Sequence, residues 1–138
     1  MCTSILFNGK KTLVGWNLDL LDMEYRVRPN DLGVFIEIND ETEGWMPIFG
    51  ANKRGDFVGM PTCWPYDDRS EPQAGCPNIV SLDIDLLLMK RTLSEIREIA
   101  EKGLIRSISG VTFMGSLSDR TAISCRLSPG RVRAISRS

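Results

Sequence analysis

The chain has 138 residues, of which 42% are hydrophobic and 25% are charged, and these proportions are typical of a soluble globular protein. With 17 basic and 18 acidic residues the formal net charge is −1, which disfavours nucleic acid as a partner. The chain contains no histidine, so catalytic pairs of the Cys-His and Ser-His types are excluded. The length predicts one domain that spans residues 1–138.

The N-terminus lacks the charged-then-apolar pattern of a signal peptide, and no apolar run reaches about 18 residues. We therefore expect a cytoplasmic protein that does not associate with membranes. The four cysteines are irregularly spaced and form no C-x-x-C pair, so we expect no metal site and no cofactor. We interpret Cys63, Cys76 and Cys125 as structural thiols, with a Cys63–Cys76 disulfide as the lesser alternative.

The first predicted element is a β-hairpin. Residues 2–7 and 12–17 are expected to form its strands, and the Asn8-Gly9 dipeptide favours a tight type I′ turn between them. In such a hairpin the end of the second strand returns beside the start of the first. We therefore expect Asn17 and Asp19 to lie near Cys2.

Cys2 is a candidate nucleophile. Removal of Met1 would leave one residue that carries both a thiol and a free α-amino group, and both groups titrate close to neutral pH. The amine can then act as general base for the thiol, as in enzymes that use an N-terminal threonine. A cysteine at this position is often only a packing residue, and that alternative stays open.

Short strands are predicted through the rest of the first half of the chain, where glycine, proline and asparagine recur and no helical period builds up. An antiparallel meander is the arrangement that accommodates them. The predicted strands are residues 24–28, 33–38, 45–49 and 57–60.

Residues 61–79 contain four prolines and are predicted to form a long loop. Trp64 and Tyr66 stand in a polar part of this loop. They can line a pocket for an apolar acyl group, or they can simply hold the loop against the core.

A helix pair is predicted next. Ser81 is expected to cap a helix that ends at Lys90, with Asp83 and Asp85 in its first turn. A capping box at residues 92–95 begins the second helix, which Gly103 is expected to end. Strands at residues 111–117, 121–127 and 132–135 then complete an α+β fold with mostly antiparallel pairing.

The opening MCTS, the hairpin and the GWNLD segment at residues 15–19 resemble the choloylglycine hydrolase and penicillin V acylase family of N-terminal-nucleophile (Ntn) hydrolases. Residues 50–55 resemble the G-x-N-x-x-G segment of this family, and Ser118-Asp119 followed by a strand resembles a later element. The resemblance implies an Ntn-hydrolase-like αββα sandwich, or part of one, with helices outside and two sheets within.

The resemblance also implies hydrolysis of a linear, non-peptide amide in a small-molecule substrate. Cys2 would be the nucleophile and Asp19 would orient its amine, while Asn17 or Thr62, with backbone N–H groups, would stabilise the oxyanion. The family has an arginine at the position of Trp16. The residues expected to contact substrate in this chain are Trp16, Trp64 and Tyr66.

Family members are longer than this chain, so the resemblance covers only part of their fold. An incomplete sandwich would leave a sheet face or edge uncovered, and we therefore expect a homo-oligomer. The alternative function is that of a catalytically inactive remnant of the fold, which acts as a binding or assembly protein.

Overall fold

The computed structural model of the protein describes residues 3–8, 11–20, 22–63, 76–102, 105–106, 112–113, 115–119, 124–128 and 131–135. In these ranges seven strands precede a pair of short helices, and four strands follow it. In chain order the elements are β1 (Thr3–Asn8), β2 (Thr12–Asn17), β3 (Tyr25–Asn30), β4 (Gly33–Asp40), β5 (Gly44–Asn52), β6 (Phe57–Gly59), β7 (Thr62–Cys63), α1 (Ile79–Leu87), α2 (Leu93–Glu101), β8 (Thr112–Phe113), β9 (Gly115–Ser118), β10 (Ser124–Ser128) and β11 (Arg131–Ile135).

Seven strands form one sheet in the order β11-β10-β9-β6-β5-β4-β3, and every neighbouring pair in it is antiparallel. Strands β3 to β6 are a meander, and β9 joins β6 after the helix pair. The hairpin β1–β2 and the short pair β7–β8 are separate from this sheet. The predicted α+β class with mostly antiparallel pairing is confirmed.

The helices pack on one face of the seven-stranded sheet and bury the main core there. Residues paired across an antiparallel sheet share a face, so Val58 and its partner Leu117 both point toward the helices. The apolar side of the second helix, formed by Leu93, Ile96 and Ala100, is buried as well. The core residues of this layer are Phe35, Val58, Met60, Ile79, Leu82, Leu86, Leu87, Leu93, Ile96, Ala100, Ile105 and Leu117.

The predicted start of α1 is wrong. Asn78 is its N-cap, and the Asn78 Oδ1 atom accepts a hydrogen bond from the Ser81 N–H at 2.7 Å. The helix ends at Leu87, and Met89 follows with a φ of 57°. Asp83 and Asp85 are therefore not in the first turn, and Asp83 is instead fully buried.

The capping box predicted for α2 is confirmed. Thr92 Oγ1 accepts a hydrogen bond from the Glu95 N–H at 3.3 Å, and Glu95 Oε2 accepts one from the Thr92 N–H at 2.6 Å. The latter bond and the Thr92 hydroxyl hold the pKa of Glu95 below its ordinary value, because both stabilise the carboxylate. The helix ends at Glu101, with Lys102 as its C-cap.

Most predicted strands differ from the structure only at their ends, but two predicted segments are divided between elements. The predicted strand at residues 111–117 is divided into β8, which pairs with β7, and β9, which pairs with β6. The predicted loop at residues 61–79 contains β7 and the beginning of α1, and residues 64–75 lie outside the described ranges. Neither of the two helices is long and apolar enough to cross a membrane.

The hairpin β1–β2 lies on the face of the large sheet opposite to the helices. Phe49 and Gly59 are paired across β5 and β6, on the face that points away from the helical core, and Trp16 of β2 contacts both. The described elements are thus layered as helices, seven-stranded sheet and hairpin.

Candidate functional site

The register of the hairpin brings the end of β2 back beside the start of β1. Thr3 is paired with Asn17, and Ser4 is paired with Trp16. Asn17 and Asp19 are both exposed. Cys2 lies outside the described residues; Thr3, which follows it in the sequence, is the residue paired with Asn17.

Trp16 packs the hairpin onto the sheet. Its ring stacks on Phe57 with centroids 4.0 Å apart and meets Phe49 edge-on at 5.0 Å. A Cβ atom on Gly59 would overlap the Cζ2 atom of Trp16 and would lie 2.7 Å from its Cε2 atom. We expected Trp16 to contact substrate, and the structure places its ring between the two layers.

Val14 lines a cleft together with Phe57, and Trp16 lies over Gly59 and stacks on Phe57, so β2 lies over β6. The side chain of Thr62 is outside the description, but its backbone begins β7.

The cleft opens near the other end of the hairpin, at Lys11, between the hairpin and the large sheet. It has a volume of about 550 Å³ and is lined by Lys11, Val14, Ala51, Gly55, Phe57, Ser118 and Asp119. Its floor is apolar and its rim carries one basic and one acidic side chain. Ser118-Asp119, which the sequence singled out, therefore borders this cleft.

The Gly50–Gly55 segment contains the end of β5 and most of the turn to β6, and Asn52 organises it. Asn52 Oδ1 accepts a hydrogen bond from the Asp56 N–H at 3.0 Å, and Nδ2 donates to Asp56 Oδ2 at 2.9 Å and to the Leu86 carbonyl at 2.8 Å. Arg54 Nε also donates to Asp56 Oδ2. Gly55 has a φ of 87°, which favours glycine.

This network joins the turn to the C-terminal end of α1, and Arg54 extends it by donating to the Arg91 carbonyl. Asn52 and Asp56 are 6% and 5% exposed, so neither is available to a substrate. The asparagine of the motif holds the start of β6 in place and thereby directs the chain toward Thr62.

Two polar atoms between the layers were not expected from the sequence. Trp16 Nε1 and Ser116 Oγ are buried, and neither has a hydrogen-bond partner within the described residues. Ser116 is paired with Gly59, which touches Trp16, so both atoms flank the same glycine. Only the pairing of β9 with β6, which local sequence does not reveal, brings them together.

The remaining predicted residues can be placed only in part. Trp64 and Tyr66 lie outside the described ranges. Cys76 is a free, half-buried thiol, so the alternative of a Cys63–Cys76 disulfide is wrong. Among the described residues no three His, Cys, Asp or Glu side chains are grouped so that they could hold a metal ion.

No model of a known protein family matches this chain, and none of the curated proteins compared with it is significantly similar. The relation to the choloylglycine hydrolases therefore stays a prediction from the residues quoted above.

Proposed function

We propose that the protein is a hydrolase of linear, non-peptide amides that uses Cys2 as an N-terminal nucleophile. The observation that carries this proposal is the packing of the hairpin on the large sheet. Thr3 is paired with Asn17, and Trp16 holds that end of the hairpin against β5 and β6. Thr3, which directly follows Cys2 in the sequence, is thus a strand residue in this two-layer packing rather than a loop residue, and a fixed position is what a preorganised nucleophile requires.

The reaction proceeds in two steps. The α-amine of mature Cys2 takes the thiol proton, the thiolate attacks the acyl carbon, and the same proton passes to the leaving amine as the C–N bond breaks. Water then attacks the thioester, which releases the carboxylic acid and regenerates the thiol. Asp19 orients the α-amine, and Asn17 and Thr62 donate hydrogen bonds to the oxyanion.

The layering supports a relation to the αββα sandwich of the Ntn hydrolases. Helices, a large antiparallel sheet and a second, stacked β-layer occur in that order, and the two β-layers are joined by aromatic packing. In this proposal the hairpin is the beginning of the second sheet of the sandwich.

A second candidate function is a binding or assembly protein that retains the fold without catalysis. The observation that favours it is the packing of Trp16. Where the family has an arginine, this chain has the uncharged indole of Trp16, which is stacked on Phe57 at 4.0 Å. Position 16 therefore offers a substrate no positive charge.

The test begins with the mass of the purified protein, which should show that Met1 is absent. Wild type, Cys2→Ala and Cys76→Ala are then assayed against a panel of N-acyl amides and p-nitroanilides. Cys2→Ala should abolish turnover, whereas Cys76→Ala is the matched control for loss of a thiol and should retain it. Asn17→Ala should lower kcat by about 10²–10³-fold if Asn17 is an oxyanion donor.

Iodoacetamide at neutral pH separates the two candidates. An activated thiolate at Cys2 is alkylated much faster than Cys76, because the rate follows the thiolate population. Retention of Met1, or equal turnover by wild type and Cys2→Ala, overturns the catalytic proposal. Equal alkylation of the two cysteines, without turnover on the panel, assigns the second function.

A further inference from the structure

The exposed large apolar side chains of the described residues are concentrated on one side of the molecule. Ile5, Phe7 and Leu13 are 60–65% exposed on the outer face of the hairpin. Tyr25, Val27 and Val34 are 52–60% exposed on β3 and β4. The pairings of Val34 with Ala51 and of Ala51 with Phe57 place this second group on the face of the large sheet that also carries the hairpin.

The hairpin covers only part of that face. It packs on β5 and β6, where Phe49 is 1% exposed, and it leaves the neighbouring strands β4 and β3 bare. We call the bare face of these two strands the shelf. Its residues are Tyr25, Val27, Pro29, Val34, Ile36 and Ile38.

The shelf and the hairpin match each other in size. The hairpin is two strands of 6 residues each, and the shelf is one strand of 6 and one of 8 residues. Stacked sheets lie about 10 Å apart, so the hairpin stands about one sheet spacing above the shelf beside it. The protruding hairpin and the neighbouring shelf are of equal width and lie on one surface. A two-fold rotation can therefore place the hairpin of each copy on the shelf of the other.

Charge is absent from both surfaces. Neither β1 nor β2 contains a charged residue, and the shelf has none. The opposite face of the same two strands carries Arg26, Arg28 and Glu37, with Arg26 Nε 2.7 Å from Glu37 Oε2. Depletion of charge is what distinguishes the core of a protein interface from ordinary surface.

The area is also adequate. The six exposed side chains present on the order of 600 Å², and the uncharged residues between them bring the surface near the roughly 800 Å² per partner of a standard interface. The largest apolar patch on a typical monomer measures about 300–600 Å², so this surface is at the upper end of that range.

We propose that two copies of this chain form a two-fold dimer in which the hairpin of each copy lies on the shelf of the other. The two hairpins then occupy one layer between two seven-stranded sheets, and the helices of both copies lie outside. This arrangement covers both apolar surfaces at once, and it does not depend on the proposed catalysis.

The test uses charge substitutions on the two surfaces of the full chain. Light scattering after size exclusion should give twice the monomer mass for wild type. Phe7→Lys on the hairpin and Val27→Glu on the shelf should each give monomers. Both positions are 60% exposed, so far-UV circular dichroism and the urea midpoint should show that both variants remain folded.

Mixing the two variants distinguishes this dimer from other arrangements. In the mixed dimer Lys at position 7 meets the shelf that carries Glu at position 27, while the other hairpin and shelf are unchanged, so the dimer mass should return. Arg28→Ala, on the opposite face of β3, is the matched control and should leave the wild-type mass unchanged.

Three outcomes overturn the proposal. If the wild-type protein is a monomer, the hairpin and the shelf bind another partner or a further segment of chain. A dimer that survives Val27→Glu but not Phe7→Lys pairs hairpin with hairpin. A mixture of the folded variants that stays monomeric excludes contact between hairpin and shelf.

Discussion

Trp16 on β2 and Gly59 on β6 are in contact across the two β-layers. A Cβ atom at position 59 would lie 2.7 Å from Trp16 Cε2 and 2.9 Å from Nε1, distances that carbon atoms do not tolerate. The indole reaches Phe57 and Phe49 only because position 59 has no side chain. The glycine therefore determines how closely the hairpin approaches the sheet.

Gly59→Ala should destabilise the protein by about 1–3 kcal/mol, because the added methyl group overpacks the layer and must displace the indole. Urea unfolding measures the loss. Gly15→Ala is the matched control, since nothing lies within 4 Å of a Cβ atom at Gly15, and it should change stability little. In a Trp16→Leu background Gly59→Ala should cost clearly less, and an unchanged cost would contradict the contact.

Features encoded in neighbouring residues were predictable. The second strand of the hairpin matches its predicted range, Thr12–Asn17, because alternation and a turn dipeptide lie in one short segment. The capping box of α2 is equally local, since Thr92 and Glu95 recognise each other within one helical turn. The predicted approach of Asn17 to the start of β1 follows from the same hairpin register.

Features that depend on distant pairing were not predictable. From the sequence alone, Trp16 is expected to be exposed or to face substrate. Its burial depends on Gly59 of the distant strand β6, which lies against the indole, and the same packing leaves Nε1 without a partner in the described residues.

The start of α1, by contrast, depends on neighbouring residues. Asp83 looks like a favourable first-turn acid only until Asn78 is recognised as the N-cap. The spacing of Asn78 from Ser81 was visible in the sequence, and reading it would have corrected the start of α1.

Asn52→Ala should destabilise the protein by about 1–3 kcal/mol, because it leaves the buried Asp56 N–H without its acceptor; the Leu86 carbonyl also loses the Asn52 amide but keeps the Met89 N–H at 3.0 Å. The loss is measured as a shift in the urea midpoint at constant m-value. Asn39→Ala is the control: Asn39 Nδ2 donates to Glu24 at 2.7 Å on an exposed part of the sheet, and its removal should cost less than about 0.5 kcal/mol. Similar losses in the two variants would show that the Asn52 network does not hold the turn.

The most unfavourable group in the core is the carboxyl of Asp83. It is fully buried on α1 and faces Gly115, where an added Cβ would lie 3.0 Å from each of its oxygens. Neither oxygen has a hydrogen-bond partner within the described residues. Burial raises the pKa of Asp83 well above its ordinary value, because the charged form loses its hydration without compensation.

The contribution of Asp83 to the free energy of unfolding should therefore fall as pH rises. Below the ordinary pKa of a carboxyl, Asp83 is protonated in both the folded and the unfolded chain. As the pH rises above that value, the unfolded chain releases a proton that the folded protein keeps, which favours unfolding. The decline from this group continues until the pH passes the raised pKa of the folded state.

Asp83→Leu should remove this contribution, since leucine has nearly the same shape and no charge to bury. We expect a gain of about 1–3 kcal/mol at pH 7, which shrinks as the pH falls through the ordinary pKa of the carboxyl, 3.8, because the wild-type carboxyl then becomes protonated in the unfolded chain as well. Asp85→Asn is the control on the same helix: Asp85 is paired with Arg91 Nε at 3.1 Å, so this variant should not be more stable than wild type. Urea unfolding across this pH range measures all three proteins, and a gain from Asp83→Leu that is equal at every pH would mean that Asp83 is not neutral in the folded protein.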